Sequence, residues 1–226
     1  MKKRYRKSVE TQTRILDAAE ELFAKQGYEA TTTRQITTAA GVRNASVNYY
    51  FATKQDLATA VIDRRFDLLR LDRDARLATV FEQANTAQDR LRKTIEAFVL
   101  PLAALCQTDE QGWQNYNRIM AQLAASGEWN QETYTQKINA SALKFIGTFI
   151  EIFPNSSRSR AVKAYEYMLG SVLLAFAESS RSRKLIAIEL TPQSTSENPA
   201  PLLDFLEGGL FKILSQEDPC QTRSGP

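Results

Sequence analysis

A short run of amide, hydroxyl and small side chains offers the chemistry that reads the edges of nucleic-acid bases. It occupies residues 44–50, and the members that a helix would point outward are Asn44, Ala45, Ser46, Asn48 and Tyr49. Small and amide side chains on an exposed helix suit base edges and phosphates in a major groove. We therefore expect this segment to be a DNA-recognition helix.

Lys54 is a candidate phosphate contact just beyond that run. It falls in the first turn of the following helix, where the positive end of the helix dipole disfavours a cation. A nearby phosphate would offset that cost. Arg43, directly before the run, carries a fork of donors that can reach a phosphate or a guanine.

Two short helices joined by a tight turn must position these side chains. Thr33 is placed to cap the first helix, because its hydroxyl can accept from the free amides of the first turn. Ile36 and Ala40 lie four residues apart on one face of that helix. Gly41 follows where the chain must leave the helix, and Val42 is the predicted apolar plug between the helices.

The second helix is predicted to run from about Asn44 to Tyr50, with Val47 and Phe51 facing inward. Thr53 and Asp56 then form a capping box at the start of a third helix. This arrangement is a helix-turn-helix, and its second helix is the recognition element.

A longer helix with a basic arm before it is predicted upstream. The arm contains Lys2, Lys3, Arg4, Arg6 and Lys7. It is either a disordered tail or a segment that lies along phosphates or a minor groove. Ser8 is the predicted cap of the helix and Gly27 its end. Its buried stripe is Ile15, Ala19, Leu22 and Phe23.

These residues together resemble the tetracycline-repressor (TetR) family of bacterial one-component regulators. The resemblance runs from near Arg14 to about Leu57, and beyond that it is carried by length and helical character. The matching positions are Ile36, Ala40, Gly41, Val42, Asn48, Tyr49, Tyr50, Phe51, Lys54 and Leu57.

The resemblance implies that some DNA-binding residues contact phosphates and others read bases. The implied phosphate contacts are Thr32, Thr33, Arg34, Tyr49 and Lys54, and the implied base-reading residues are Asn44, Ala45, Ser46 and Asn48. Tyr50 departs from the family pattern, which often has histidine there, and Arg43 departs from a frequent small hydroxyl residue. We expect Tyr50 to pack and to touch the DNA backbone, and Arg43 to alter operator preference.

Composition argues against several other classes of protein. The 226 residues include no histidine, which counts strongly against histidine-based catalysis and most transition-metal sites. No glycine-rich phosphate loop or cysteine pair appears, so we expect no catalytic residues, no metal and no cofactor. No apolar run approaches the roughly 20 residues that a membrane span needs, and the basic start lacks the apolar stretch of a secretory signal. Cys106 and Cys220 stand far apart, which fits a reducing compartment. We expect a bacterial cytoplasmic protein, associated with the nucleoid when bound to DNA.

The charge is uneven along the chain. Residues 1–57 contain ten Lys or Arg against six Asp or Glu, whereas the remainder contains nineteen against twenty. A basic N-terminal part is compatible with nucleic-acid binding.

The predicted fold is all-α, with about nine helices in two domains. Residues 1–57 form the DNA-binding domain with its basic arm, residues 58–215 a helical effector-binding and dimerisation domain, and residues 216–226 a disordered tail. The six predicted helices that follow residue 53 end near residues 81, 107, 125, 153, 180 and 214. Pro101 is expected to kink or break its helix, and residues 183–199 read as a mobile loop.

One face of the fourth helix alternates charges of both signs. Its arginines are Arg64, Arg65, Arg70, Arg73 and Arg76. The simplest interpretation is a solvated face with pairs four residues apart. The resemblance adds that this helix couples the ligand to the DNA-binding head.

Any one of the large apolar side chains in the C-terminal half is more readily explained as a core residue than as a pocket residue. The resemblance places an effector pocket among these helices. The predicted lining is Phe98, Leu102, Trp113, Tyr116, Asn117, Met120, Trp129, Phe145, Phe149 and Phe176. Gln122 and Arg118 are further polar candidates. This composition favours an apolar or amphipathic small molecule, such as an acyl chain or an aromatic compound.

The last two helices carry more apolar surface than one protomer needs to cover. Family members pair these helices into a four-helix interface, so a homodimer is implied. The predicted interface residues are Tyr165, Leu169, Val172, Leu173, Leu203, Leu206, Leu210 and Ile213.

The leading hypothesis is a homodimeric transcriptional regulator, a repressor released from double-stranded palindromic operator DNA by a small-molecule effector. The alternative is a helical ligand-binding or protein-interaction adaptor that does not bind DNA, which the phosphate-contact set argues against. An enzyme in the apolar pocket is the third and weakest hypothesis.

Overall fold

The fold is helical throughout the residues that the structure describes, which are 2–126, 132–177 and 194–216 of the computed structural model. This confirms the predicted fold class. The helices are α1 (Lys2–Gln26), α2 (Thr33–Ala40), α3 (Asn44–Tyr50), α4 (Lys54–Ala78), α5 (Val80–Gln83), α6 (Ala87–Thr108), α7 (Glu110–Ser126), α8 (Glu132–Ile152), α9 (Arg158–Ala177) and α10 (Ala200–Leu214).

The helix-turn-helix is α2 and α3, with the bounds that the sequence predicted for α3. The cap of α2 is Thr32 rather than Thr33. The Thr32 hydroxyl accepts from the Gln35 amide, and the Gln35 side chain accepts from the Thr32 amide at 2.7 Å. Thr32 is the cap because Gln35 stands three residues after it and completes a reciprocal capping box.

The turn between α2 and α3 is built around Gly41, which lies in the left-handed region with φ 61°. Its amide donates to the carbonyls of Thr37 and Thr38. Arg14 of α1 reaches across and donates to the carbonyls of Ala40 and Gly41 at 3.0 and 2.8 Å. A cation on the last carbonyls of a helix also complements the helix dipole.

The first helix begins earlier than the sequence predicted. α1 starts at Lys2, so the backbone of the basic residues is helical and not an arm ahead of the helix. Lys and Arg are good helix formers, and neither glycine nor proline interrupts them. Ser8 therefore lies within α1 and does not cap it. The predicted stripe at Ile15, Ala19 and Phe23 is buried.

The fourth helix carries the chain out of the head without interruption. Its predicted capping box is present, with the Thr53 hydroxyl accepting from the Asp56 amide. The predicted domain boundary at residues 57 and 58 lies inside α4, so one helix belongs to both predicted domains. The helix ends at Ala78 rather than near Phe81, because the Thr79 hydroxyl bonds the Arg76 carbonyl and α5 starts anew at Val80.

Pro101 does not break its helix. α6 continues through Pro101 from Ala87 to Thr108. Proline removes one backbone donor and costs a few kcal/mol inside a helix. Burial of Pro101 among apolar neighbours offsets that cost, since Phe98, Val99, Leu102 and Ala103 around it are also buried.

The rest of the chain forms a bundle in which α4, α6, α7, α8 and α9 enclose the core and α10 packs on α6 and α9. The predicted helix bounds in this half agree with the structure within about three residues, except that the predicted bounds at Gln131 and Ser180 lie outside the described residues. Most of the predicted loop at 183–199 and all but the first residue of the predicted tail lie outside the described residues. No described helix is long and apolar enough to cross a membrane.

Candidate nucleic-acid interface and ligand cavity

The outer face of α3 presents the residues predicted to read DNA bases. Asn44, Ala45 and Asn48 are exposed and Ser46 is half-buried. Val47 and Phe51 hold the opposite face in the core. The sequence pattern predicted this division, because apolar residues four apart on a short helix leave the others outside.

The two tyrosines that end α3 have different surroundings. The Tyr49 side chain is 80% exposed, whereas Tyr50 is half-buried against the core. The Tyr50 hydroxyl is 2.9 Å from the Ser8 hydroxyl of α1. The rings of Tyr49 and Tyr50 meet edge to face, with their centroids 5.1 Å apart. Tyr50 thus ties α3 to α1, and Tyr49 is the tyrosine that projects from the surface.

The predicted phosphate contacts lie on α2, on α4 and just before α3. Arg34 and Arg43 are exposed, and Thr32 and Thr33 lie at the start of α2. Lys54 has contacts of its own: its ammonium lies 4.1 Å from the Tyr28 ring centroid and donates to the Glu29 carbonyl at 3.4 Å. A cation over an aromatic ring is a stabilising contact, so it accounts for Lys54 even without a phosphate.

A cavity of about 40 Å³ lies in the bundle between α4, α6, α7, α8 and α9. Five of the predicted ligand-binding residues line it, and they are Phe98, Leu102, Tyr116, Asn117 and Met120. It is also lined by Arg73, Ser141 and Tyr165, which the sequence had not placed there.

The remaining predicted pocket residues do not line this cavity. Trp113, Phe145, Phe149 and Phe176 are buried core residues elsewhere in the bundle. Gln122 donates to the Ala24 carbonyl of α1, and Arg118 donates to the Ala177 carbonyl of α9. Trp129 lies outside the described residues.

Arg73 contradicts the predicted solvated face of α4. Its side chain is buried, and burial lowers its pKa to about 10. Its Nε donates to the Phe98 carbonyl at 2.9 Å, and the guanidinium lies 3.7 Å from the Phe98 ring centroid. The physical reason is helix rotation: α4 is packed on several sides, so a charged residue can fall on an inward face.

The other arginines of α4 join elements through carboxylates. Glu20 of α1 is buried and accepts from both Arg64 and Arg65 at 2.6 and 2.8 Å. Arg65 also pairs with Asp109 at 3.0 Å, just before α7. Burial lowers the pKa of Arg65 and these two carboxylates raise it, with a net increase. This cluster connects the head to the helical bundle.

The predicted dimer residues face the protomer's own core for the most part. Val172, Leu173, Leu203, Leu206 and Leu210 are buried, and Tyr165, Leu169 and Ile213 are half-buried. Leu206, Leu210 and Ile213 nevertheless line a groove that is open at the surface, so the predicted dimer interface stays a prediction. The apolar side chains of α9 and α10 that remain exposed are Tyr167, Leu174 and Phe205.

A groove of about 500 Å³ runs between those exposed side chains. Gly170 and Gly209 line it, and an added Cβ at either glycine would meet open space. The groove between α9 and α10 is therefore mostly apolar and open to solvent.

Family comparisons match both halves of the chain. Residues 15–61 match the bacterial regulatory proteins of the tetR family. Residues 96–209, just over half of the chain, match the tetracyclin repressor-like C-terminal domain.

Known proteins of related sequence and fold are also regulators by name. An uncharacterised HTH-type transcriptional regulator of Bacillus subtilis, YvkB, is 44% identical over 54 residues, which are 24% of this chain and only 29% of that relative's length. The ketosteroid transcriptional regulator KstR2 of Mycobacterium tuberculosis has a TM-score of 0.57 at 17% identity, covering 88% of this chain and 93% of its own.

A second similar structure is NalD of Pseudomonas aeruginosa, the secondary repressor of the MexAB-OprM multidrug efflux pump. It has a TM-score of 0.54 at 23% identity, covering 92% of this chain and 97% of its own. These two structures share the fold, and the two family matches cover the head and the bundle in the order found here. The chain therefore belongs to the TetR family of regulatory proteins.

Proposed function

We propose that this protein is a homodimeric, sequence-specific DNA-binding regulator, a repressor that leaves a palindromic operator when a small amphipathic molecule binds. The observation that carries the proposal is the outer face of α3, where amide, small and hydroxyl groups stand exposed on a helix held from behind by Val47 and Phe51. A recognition helix needs such a surface, because base edges are read by hydrogen bonds from projecting side chains.

The assignment of roles within the head follows from exposure. We assign base reading to Asn44, Ala45, Ser46 and Asn48, and phosphate contacts to Tyr49 and to the threonines and cations nearby. Those threonines and cations are Thr32, Thr33, Arg34, Arg43 and Lys54. Tyr50 is assigned to positioning α3, because its hydroxyl is engaged with Ser8.

Dimerisation through α9 and α10 supplies the second recognition helix. The exposed apolar side chains of Tyr167, Leu174 and Phe205 support this surface, and the glycines between them allow close approach. A short helix reads few base pairs, so two copies spaced about one turn of DNA apart, roughly 34 Å, multiply the specificity.

Ligand control is proposed to act through α4. The cavity borders α4 at Arg73, and the cluster of Glu20, Arg64 and Arg65 joins α4 to the head. A ligand shifts the spacing of the heads only if it binds one spacing better than the other. A regulator of this kind acts in the cytoplasm, where its operator is.

The decisive experiment is a selection of bound duplexes from a random DNA pool at moderate salt, followed by sequencing. We expect a two-fold palindrome from the full-length protein. The matched control is the variant Asn48→Ala/Tyr49→Ala, whose altered side chains are exposed, so that it folds but enriches no sequence.

Enrichment of no sequence by folded wild-type protein would overturn the proposal and favour the adaptor. The enriched palindrome, placed ahead of a reporter gene in cells, then tests the sign of regulation. Repression predicts reduced transcription in the presence of the protein, and increased transcription would contradict it.

A further inference from the structure

Arg73 is a charge buried in the bundle with few partners. Its side chain is about 8% exposed, donates to one backbone carbonyl and lies over one aromatic ring. Its other electrostatic neighbours are the side chains of Tyr116 and Tyr165. Among the described residues, no carboxylate lies within ion-pair distance of it. A buried charge is costly unless it is paired and hydrogen-bonded, and a guanidinium has five donors to satisfy.

The neighbouring arginines of α4 form ion pairs with carboxylates of the chain. Arg70 pairs with Asp74 at 3.1 Å, and Arg76 pairs with Asp72 at 3.0 Å. Arg64 and Arg65 share Glu20. These arginines stabilise the apoprotein through carboxylates of the chain. Arg73 is the arginine of α4 that faces the cavity and has no such carboxylate.

Asn117 brings a second uncompensated polar group to the same cavity. It is fully buried, and its Nδ2 donates to the Trp113 carbonyl at 2.7 Å. Its Oδ1 is also buried and accepts no hydrogen bond from the described residues. A buried acceptor without a donor is destabilising. The cavity therefore presents strong donors from Arg73 and one idle acceptor from Asn117, within otherwise mostly apolar walls.

We propose that the effector is an amphipathic carboxylate: an anionic head that pairs with Arg73, an adjacent hydroxyl or N–H that donates to the Asn117 Oδ1, and an apolar body. This inference rests on the proposed function, because it names the ligand class of that same regulatory cavity. A guanidinium binds a carboxylate through two parallel hydrogen bonds, which gives both affinity and orientation.

The size of the cavity connects binding to regulation. Pockets for small molecules enclose about 300–1,000 Å³, far more than the roughly 40 Å³ found here. An effector must therefore displace packed side chains and helices to enter. Arg73 lies eight residues beyond Arg65 on α4, about 12 Å along the helix. Movement of α4 at the cavity is thus carried to the ion pairs that hold the head.

The test measures binding of matched probes to the full-length protein by calorimetry, without DNA. The probes are decanoate, 3-hydroxydecanoate, 1-decanol and decylamine, together with 4-phenylbutyrate and 4-phenylbutanol. We expect each carboxylate to bind roughly ten- to a hundredfold more tightly than its alcohol, because hydrogen bonds to charged groups contribute about 1.5–3 kcal/mol. We expect 3-hydroxydecanoate to bind more tightly than decanoate.

Three variants connect these preferences to the cavity. Arg73→Met should abolish the preference for the carboxylate, and Arg73→Lys should retain part of it. Asn117→Leu should abolish only the preference for the hydroxyl. Arg70→Met, which removes a positive charge from the same helix outside the cavity, is the matched control and should change neither preference.

The inference would be overturned by carboxylates that bind no better than alcohols to the wild type, or by a preference that survives Arg73→Met. An equal loss in Arg70→Met would overturn it too, because net charge and not contact would then be responsible. A purely structural Arg73 predicts a lower melting temperature for Arg73→Met, whereas replacement of an unpaired buried charge by an apolar side chain should leave it unchanged or raise it. Operator binding, measured separately, tells failure of this inference from failure of the proposed function.

Discussion

At the scale of single residues, the exposed side chains of α2 and α3 separate into those that can read bases and those that can only meet phosphates. Asn48 has an amide that can donate to and accept from one base edge. Arg34 has a charge that attracts every phosphate alike. Both are exposed, so their replacement does not disturb the core. Lys54 is less informative, because it also contacts Tyr28.

We predict that Asn48→Ala relaxes the preference for one base in each half-site at a cost of about 1–3 kcal/mol per half-site. Arg34→Ala should instead weaken binding to all duplexes and reduce the slope of affinity against salt by about one per protomer. Fluorescence anisotropy with the operator and a scrambled duplex at several salt concentrations measures both effects. A similar loss on both duplexes for Asn48→Ala would contradict the assignment.

At the scale of elements, the geometry of the head depends on the backbone of one turn. Gly41 has φ 61°, and the nearest atom to an added Cβ would be the Arg14 Nη2 at 3.8 Å. There is therefore room for a side chain, and the constraint on Gly41 is its left-handed conformation. An L-residue pays roughly 1–2 kcal/mol to adopt that conformation.

We predict that Gly41→Ala lowers the free energy of unfolding by about 1 kcal/mol, and that Gly41→Asn lowers it less, since asparagine tolerates this conformation. Ala39→Gly, two residues earlier on the exposed side of α2, should also destabilise by about 1 kcal/mol, because glycine is unfavourable inside a helix. Urea unfolding measures all three. A stabilising Gly41→Ala would show that the turn is not left-handed.

The joint between α1 and α4 is the second element-scale feature. Glu20 is buried and is shared by Arg64 and Arg65, whereas Asp17 is mostly exposed and pairs with Arg64. Removal of a buried carboxylate leaves two half-buried guanidinium groups under-compensated. An exposed partner is replaced by water at little cost.

We predict that Glu20→Gln lowers the free energy of unfolding by about 2 kcal/mol, less than the 3–5 kcal/mol typical of a broken buried pair because each arginine keeps another carboxylate. Asp17→Asn should cost less than about 0.5 kcal/mol. Urea titrations of the two variants test this. Equal effects would mean that Glu20 contributes no more than a surface pair.

At the scale of the whole molecule, the exposed apolar surface of α9 and α10 is the proposed dimer interface. Leu174 is 67% exposed and Phe205 68% exposed, and both border one apolar groove. Apolar surface that stays in water forgoes about 25 cal/mol per Å². A two-fold axis across this surface would cover it on both protomers at once.

We predict that Phe205→Glu converts the dimer to monomer. Loss of a phenylalanine buried in the interface costs about 2 kcal/mol. A two-fold interface contains Phe205 of both protomers, so the cost is doubled and the dimer Kd should rise roughly a thousandfold. Sedimentation velocity measures the change. Leu143→Glu, at a leucine of α8 that is also exposed, is the matched control and should stay dimeric. A dimeric Phe205→Glu would place the interface elsewhere.

Local patterns in the sequence determined the helical class, most helix bounds, the turn at Gly41 and the outward face of α3. These features depend on residues within a few positions of one another: a capping residue, a glycine at an exit, and apolar residues four apart. The helix-turn-helix is short, so these local signals determine most of its structure.

Only the tertiary structure decided which side chains of the longer helices face inward. Helices packed on several sides carry apolar residues all round, so periodicity does not say which neighbour each face meets. Most of the dimer residues predicted from apolar stripes are buried within one protomer, and Arg73, one of several arginines in a charged helix, is buried beside Asn117. Both outcomes depend on how α4, α9 and α10 rotate against elements far away in the sequence, which no local pattern encodes.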